Sequence, residues 1–167
     1  MNIDRLFNDK EFLEKQINFF IKTKQIKKIE NNPELAESHL EKAKHNIKFY
    51  KLNKNNFDYQ DWQIVVLYYA LYQSCLSLLT KKGYSLKNHE ATILLLIKEY
   101  SISKDEAQLI DNLELNRDEA QMYTKLKKDR HDASYSTETR FTNKLIEQYE
   151  RDVIKFINKV ELILQRG

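Results

Sequence analysis

Glycine, proline and cysteine are scarce in this sequence. The chain has 167 residues, of which two are Gly, one is Pro and one is Cys. All-β and α/β folds need turn residues between many short elements, so this shortage argues against both classes. A single cysteine, Cys75, excludes an internal disulfide and a cysteine-rich zinc site, and we expect it to be a buried, inert thiol. Long helices joined by short polar links fit the composition.

A strong excess of charge and a hydrophobic leader are also lacking. The formal net charge is +3, which permits a nucleic-acid partner without requiring one. The N-terminus is charged, and the apolar runs are shorter than a membrane span of about 20 residues, so we expect a cytoplasmic protein that uses no membrane. At this length, one domain over residues 1–167 is the default, and it can bury a real core.

Apolar residues recur at helical spacing throughout the chain, and no segment has the alternation of a strand. The pattern predicts an all-α bundle of five or six helices with no strand. The predicted helices cover residues 3 to about 28, 33 to about 50, about 62 to 82, about 88 to 100, 104 to about 130, and about 137 onward.

Capping residues mark several of these helix ends. Asn32 precedes Pro33, which suits the first turn of a helix. Ser103 and Glu106 have the spacing of a capping box. Gly83 is expected to end the most apolar helix, since glycine readily adopts the left-handed backbone that follows a helix.

The most apolar helix, which begins at Trp62, is also rich in tyrosine. Tyr68, Tyr69 and Tyr72 carry amphipathic rings that suit a core or a dimer seam, and we expect a two-fold dimer through this helix. A platform on which nucleic-acid bases stack is the alternative.

Four lysines lie in the stretch KTKQIKK (Lys22–Lys28). They suit the C-terminus of a helix, where cations complement the helix dipole. A patch that contacts phosphate is the alternative.

Several chemistries find no support in the sequence. It has no glycine-rich phosphate loop, no GxSxG elbow and no HExxH pair. His39 and His45 are six residues apart and do not share a helix face at the spacing of metal pairs. We therefore expect no metal and no cofactor.

The stretch KKDRHDASYST, which begins at Lys127, brings an arginine, a histidine, an aspartate and a tyrosine into one short run. Lys127, Lys128 and Arg130 suit a helix C-terminus, with Asp132 as their partner and Tyr135 packing. Guanidinium and ammonium groups also suit phosphate. The residues alone leave a capped helix end, a binding site and a catalytic site open.

Three stretches, taken in order, resemble the HEPN domains (higher eukaryotes and prokaryotes nucleotide-binding). IKKIENNPELAESHLEKAKHNI is similar to the family's lead-in. VVLYYALYQSCLSLLTKKGYSLKNHEATI is similar to its central helix, followed by a Gly and by a His that opens the next helix. LKKDRHDASY is similar to its signature, an Arg followed by a polar residue at a helix end. The resemblance covers about residues 26–165 and leaves 1–25 as an additional N-terminal helix. It implies an antiparallel helical bundle that dimerises, with the Arg-containing helices of two subunits facing each other.

Many HEPN proteins are metal-independent ribonucleases, whose signature is an Arg, four to six other residues and a His. The resemblance implies attack of a ribose 2′-hydroxyl on the adjacent phosphate, with the His as general acid or base and the Arg neutralising transition-state charge. Arg130 matches the Arg, and His131 takes the polar position after it. Tyr135 stands where the His is expected, and His89 matches the His that opens the next helix.

Tyr135 in place of a histidine makes cleavage a weaker expectation than binding. The ordinary pKa of tyrosine is about 10, so only about one side chain in a thousand is ionised at pH 7. His131 would share Arg130's direction only if the helix has ended, because adjacent helical residues lie about 100° apart. The expected catalytic residues are Arg130, His131 and Tyr135, and the expected ligand-binding residues are Arg130, Asp132, Tyr135, Lys127, Lys128 and His89.

Three functions stay open at this point. The first is a dimeric nucleotide- or RNA-binding protein with a weakened or lost ribonuclease site. The second is an active metal-independent endoribonuclease of a toxin–antitoxin or defence system, and the third is a purely structural or interaction subunit. The resemblance also implies a partner protein of the small nucleotidyltransferase-like type.

Overall fold

Helices account for most of the structure. The computed structural model describes residues 1–56, 59–129 and 141–166, and in the helix that ends at Asp129 it describes the side chains of residues 104–118 and 120. The helices are α1 (Ile3–Asn8), α2 (Lys10–Lys22), α3 (Pro33–Asn53), α4 (Gln60–Lys81), α5 (His89–Tyr100), α6 (Lys104–Asp129) and α7 (Asn143–Gln165). The predicted all-α class is confirmed. The predicted count of five or six helices is wrong, because seven occur within the described ranges.

The predicted helix over residues 3 to about 28 is three elements rather than one. Asp9 has an extended backbone that ends α1, and its carboxylate accepts a hydrogen bond from the Phe12 N–H at 2.8 Å to begin α2. Leu6 and Leu13 are both buried, seven residues apart on either side of the break. The apolar period therefore continues through the interruption, which is why periodicity alone did not detect it.

Two short strands correct the prediction that the chain has none. β1 (Ile26–Lys28) and β2 (Tyr84–Leu86) pair antiparallel, with Ile26 opposite Leu86. The Ile29 N–H extends the pairing by donating to the Gly83 carbonyl at 2.9 Å. We call the two strands together the β-arm. Three residues are too few to show the alternation of apolar and polar side chains that marks a strand, so the sequence did not predict the β-arm.

Gly83 follows α4 with φ +75°, as its expected role at a helix end requires. A Cβ at this position would lie 2.7 Å from the carbonyl oxygen of Ile29. We expect Gly83→Ala to lower the free energy of unfolding by about 2 kcal/mol, since both the left-handed backbone and the close approach reject a side chain. Urea unfolding measures the loss, with Ser85→Ala on the exposed face of β2 as the control. Equal stabilities for Gly83→Ala and the wild type would contradict this account.

α4 lies at the centre of the fold, packed against α3, α5, α6 and α7. One face of α3 packs inward, where Ala36, Leu40, Ala43, Ile47 and Tyr50 are buried. The hydroxyl of Ser77 on α4 donates to the Ala36 carbonyl at 2.6 Å and joins the two helices.

α4 is long and apolar enough, by length and composition, to cross a membrane. However, 72% of its most apolar 18-residue window is buried inside the protein. Core helices of soluble proteins have the same length and composition, so the helix is weak evidence for a membrane span.

Candidate functional site

The residues predicted to form the site divide into three groups. Arg130, His131, Asp132 and Tyr135 lie outside the described residues. Lys127 and Lys128 belong to the last turn of α6, where the structure describes the backbone alone. His89 is described in full, so the site is built from this residue outward.

α5 begins with a side-chain cap that fixes the position of His89. The Asn88 carboxamide oxygen accepts from the Ala91 N–H at 2.8 Å, and the Thr92 hydroxyl donates to the Asn88 carbonyl at 2.9 Å. Asn88 is therefore the N-cap, and His89 is the first helical residue. His89 does not cap the helix, and its imidazole packs inward.

His89 is buried against α4 and α6, with 8% of its side chain exposed. Its Nε2 lies 3.1 Å from Oε2 of Glu114. Neither ring nitrogen makes a hydrogen bond of ordinary geometry within the described residues, although the Ile110 backbone is near enough to interact with the ring. The imidazole ring stacks on Tyr68 and Tyr72, with centroid distances of 6.0 and 6.2 Å.

Arg117, one turn beyond Glu114 on α6, completes the group. Its guanidinium carbon lies 4.3 Å from the centre of the Tyr68 ring, a cation–π contact. The guanidinium is 3.7 Å from Glu114 and also forms an ion pair with Asp118. We call His89, Glu114, Arg117, Tyr68 and Tyr72 the His89 cluster.

The pKa values of the His89 cluster are displaced in opposite directions. Burial, assisted by the charge of Arg117, lowers the pKa of His89 to about 4, so the imidazole is neutral at pH 7. Burial raises the pKa of Glu114 to about 7, although the charge of Arg117 opposes the rise. Burial also raises the pKa of Tyr68. The cluster thus holds a neutral imidazole beside a carboxyl group that exchanges its proton near neutral pH.

This arrangement limits what His89 can contribute to the expected binding of phosphate. A neutral imidazole offers one N–H donor and no positive charge. Arg117 carries the charge of the cluster, but its ion pair with Asp118 already neutralises it. The cluster is therefore suited to proton transfer or to positioning rather than to charge attraction.

Lys127 lies farther along α6 than the His89 cluster. Lys127 is thirteen positions after Glu114 on the helix, which is about 20 Å at 1.5 Å per residue. Within one chain, His89 and Lys127 therefore cannot hold the same phosphate group. If both contact one ligand, that ligand is extended.

The sequence contained a signal for Arg117 that was not used. The buried residues Ala107, Ile110, Leu113 and Ala120 follow one face of α6. The helical period places position 117 on the same face, between Leu113 and Ala120. A charged residue at an apolar position indicates a buried ion pair or a site.

Metal-binding side chains do not cluster in the ranges that the structure describes, where no group of three or more His, Cys, Asp or Glu residues could hold an ion.

Cys75 is fully buried, and burial raises the pKa of its thiol, as expected of an inert cysteine.

No model of a known protein family matches this sequence, and no curated protein matches it.

Proposed function

We propose that this chain is a HEPN-like, dimeric protein that binds nucleotide or RNA near the end of α6 and has a weakened or lost ribonuclease site. The observation that carries the proposal is the length of α6, which is helical as far as Asp129. Lys127 and Lys128 therefore lie on this helix, and Arg130 follows in the sequence the last residue of it that the structure describes. The HEPN signature has its arginine near a helix end.

The charge at this end of α6 supports an anionic ligand. A helix C-terminus carries roughly half a negative charge, which by itself repels phosphate. Lys127, Lys128 and Arg130 supply three positive charges within four residues, and Asp129 between them offsets one. The remaining net charge of +2 still exceeds the helix dipole, so this part of the chain is attractive to phosphate.

The exposed side of α4 supports the proposed dimer. Five residues of α4 are incompletely buried and recur at spacings that alternate between four and three: Trp62, Val66, Tyr69, Gln73 and Leu76. This is the spacing with which one helix packs along another. Trp62 and Tyr69 have 51% and 39% of their surface exposed, and aromatic residues are enriched at interface centres. We call these five residues the α4 seam.

RNA binding without metal tests the proposal. We expect Arg130→Ala to weaken binding of a mixed-sequence RNA by about 10- to 100-fold, since a charged hydrogen bond contributes about 1.5–3 kcal/mol. Arg151→Ala, at an exposed arginine of α7, removes the same charge elsewhere and should bind as the wild type does. Fluorescence anisotropy in a chelating buffer measures both.

Cleavage is followed in the same samples, together with Tyr135→His, which restores the histidine of the ribonuclease signature. We expect little cleavage by the wild type. Unchanged RNA and nucleotide binding by Arg130→Ala would overturn the proposal and leave a structural or interaction subunit.

An active metal-independent endoribonuclease is the second candidate, and Glu114 is the observation that favours it. A carboxyl group with a pKa of about 7 is suited to giving and taking protons near neutral pH. Because Glu114 and Lys127 are about 20 Å apart on α6, this role would require the Glu114 of one subunit and the Arg130 of the other. Strong cleavage by the wild type, lost in both Arg130→Ala and Glu114→Gln, would establish this alternative. For either candidate, the resemblance to HEPN domains leads us to propose a cytoplasmic protein of a toxin–antitoxin or defence system. It would work with a small nucleotidyltransferase-like partner.

A further inference from the structure

A concavity lies where the turn after α2 and β1 meets β2 and the start of α5. Its volume is about 300 Å³. Seven residues line it: Lys24, Gln25, Lys27, Ser85, Leu86, Lys87 and Asn88. We call it the β-arm concavity. It contains two of the four lysines of the KTKQIKK stretch, which the site at the end of α6 leaves without a role.

The three lysines of the β-arm concavity carry uncompensated charge. Within the residues that the structure describes, Lys24, Lys27 and Lys87 form no ion pair. Other lysines of the fold do form ion pairs, such as Lys98 with Glu14 at 2.8 Å. Three like charges around one concavity repel one another, and an anion between them would relieve that repulsion.

Hydrogen bonds hold the frame of the concavity in place without using the lysines. The Asn88 amide donates to the Gln25 side-chain oxygen at 2.7 Å, and the Gln25 amide donates to the Thr23 hydroxyl at 3.2 Å. These bonds connect the turn after α2 to the start of α5. The backbone of Lys24 has φ +58°, a left-handed conformation that is uncommon for lysine and turns the chain sharply at this point.

We infer that the β-arm concavity binds the phosphate groups of an RNA strand, an inference that rests on the proposed function. Its lining offers ammonium, amide and hydroxyl groups, which are donors for phosphate oxygens. Asn88 adjoins His89, and α6 leads from Glu114 beside His89 to Lys127, about 20 Å farther. That length corresponds to about six stacked nucleotides of one strand, so a strand of 20 nucleotides is long enough to span from this part of the fold to the end of α6.

The test compares two triple variants that lose the same charge. Lys24→Gln/Lys27→Gln/Lys87→Gln removes the lysines of the concavity. The control replaces three lysines that are exposed on α3 and α7 with glutamine: Lys42, Lys48 and Lys155. Binding of a fluorescent single-stranded RNA of 20 nucleotides is measured by anisotropy at several salt concentrations, with ATP in parallel as a mononucleotide.

We expect the concavity variant to bind the RNA about tenfold more weakly at 100 mM salt, and the control to bind as the wild type does. Each lost phosphate contact lowers the slope of log K against log salt by about 0.7 for a single strand, so three contacts lower it by about 2. The wild type should bind ATP far more weakly than RNA.

Three outcomes would overturn the inference. Equal affinities and salt slopes in the two triple variants would remove this site while leaving RNA binding at the end of α6 intact. ATP bound as tightly as RNA and lost in the concavity variant would indicate a mononucleotide site instead. A wild type that binds no RNA would overturn the inference, and one that binds neither RNA nor ATP would overturn the proposed function as well. Both failures are visible before any variant is made.

Discussion

Replacing Trp62 and Tyr69 together with glutamate is expected to convert the proposed dimer into a monomer of 20.1 kDa. Both side chains belong to the α4 seam and are substantially exposed in the single chain. In a two-fold interface each of them is buried twice, once on each subunit. Truncating a central aromatic residue commonly costs at least 2 kcal/mol of association free energy. We therefore expect association to weaken by at least about 1000-fold.

Sedimentation equilibrium at micromolar concentration measures this change. Leu162→Glu places a single glutamate on an exposed apolar residue of α7 and should leave the dimer intact. Circular dichroism tests whether each variant keeps its helices, which is expected because the substituted side chains lie at the surface. A wild type that sediments as a monomer, or a double variant that stays dimeric, would remove the α4 seam as the interface.

The sequence predicted helix ends wherever the chemistry of an end is local. Asn32 accepts from the Leu35 N–H at 2.9 Å, and the predicted box of Ser103 and Glu106 forms both of its reciprocal hydrogen bonds. Asp9 is the counterexample, because the apolar period continues across it. The β-arm was missed for a different reason, since its pairing joins residues about 60 positions apart in the chain.

The His89 cluster was only partly within reach of the sequence. The resemblance singled out His89, but its contact with Glu114 depends on how α5 packs against α6, which no local pattern specifies. Arg117 was detectable as a charge on an apolar face. Tyr68 and Tyr72 were recognised as core or interface residues, and both surround the imidazole rather than forming a platform for bases.

The two displaced pKa values in the His89 cluster predict a pH dependence of stability that single substitutions would reveal. His89 has a pKa of about 4 when folded and an ordinary value of 6.5. Between these values the unfolded chain binds more protons, so this residue contributes stability that is lost as the pH falls. Glu114 has a pKa of about 7 when folded and an ordinary value of 4.5. Between these values the folded chain binds more protons, so the stability that Glu114 contributes is lost as the pH rises. The two contributions oppose each other between about pH 4.5 and 6.5 and largely cancel in the wild type.

Glu114→Gln removes one side of this balance. Relative to the wild type, we expect the variant to gain about 3 kcal/mol in free energy of unfolding as the pH rises from 4.5 to 7, since each pKa unit is worth about 1.4 kcal/mol. His89→Gln removes the other side of the balance. As the pH rises from 4 to 6.5, we expect this variant to lose a similar amount of free energy of unfolding relative to the wild type. Urea unfolding at half-unit pH intervals measures both, with Glu37→Gln at an exposed carboxylate of α3 as the control for the loss of one acid. Profiles for Glu114→Gln and Glu37→Gln that run parallel would show that Glu114 titrates as an ordinary surface acid. That result would also remove the observation that favours a ribonuclease, because a fully ionised carboxylate at pH 7 has no proton to give.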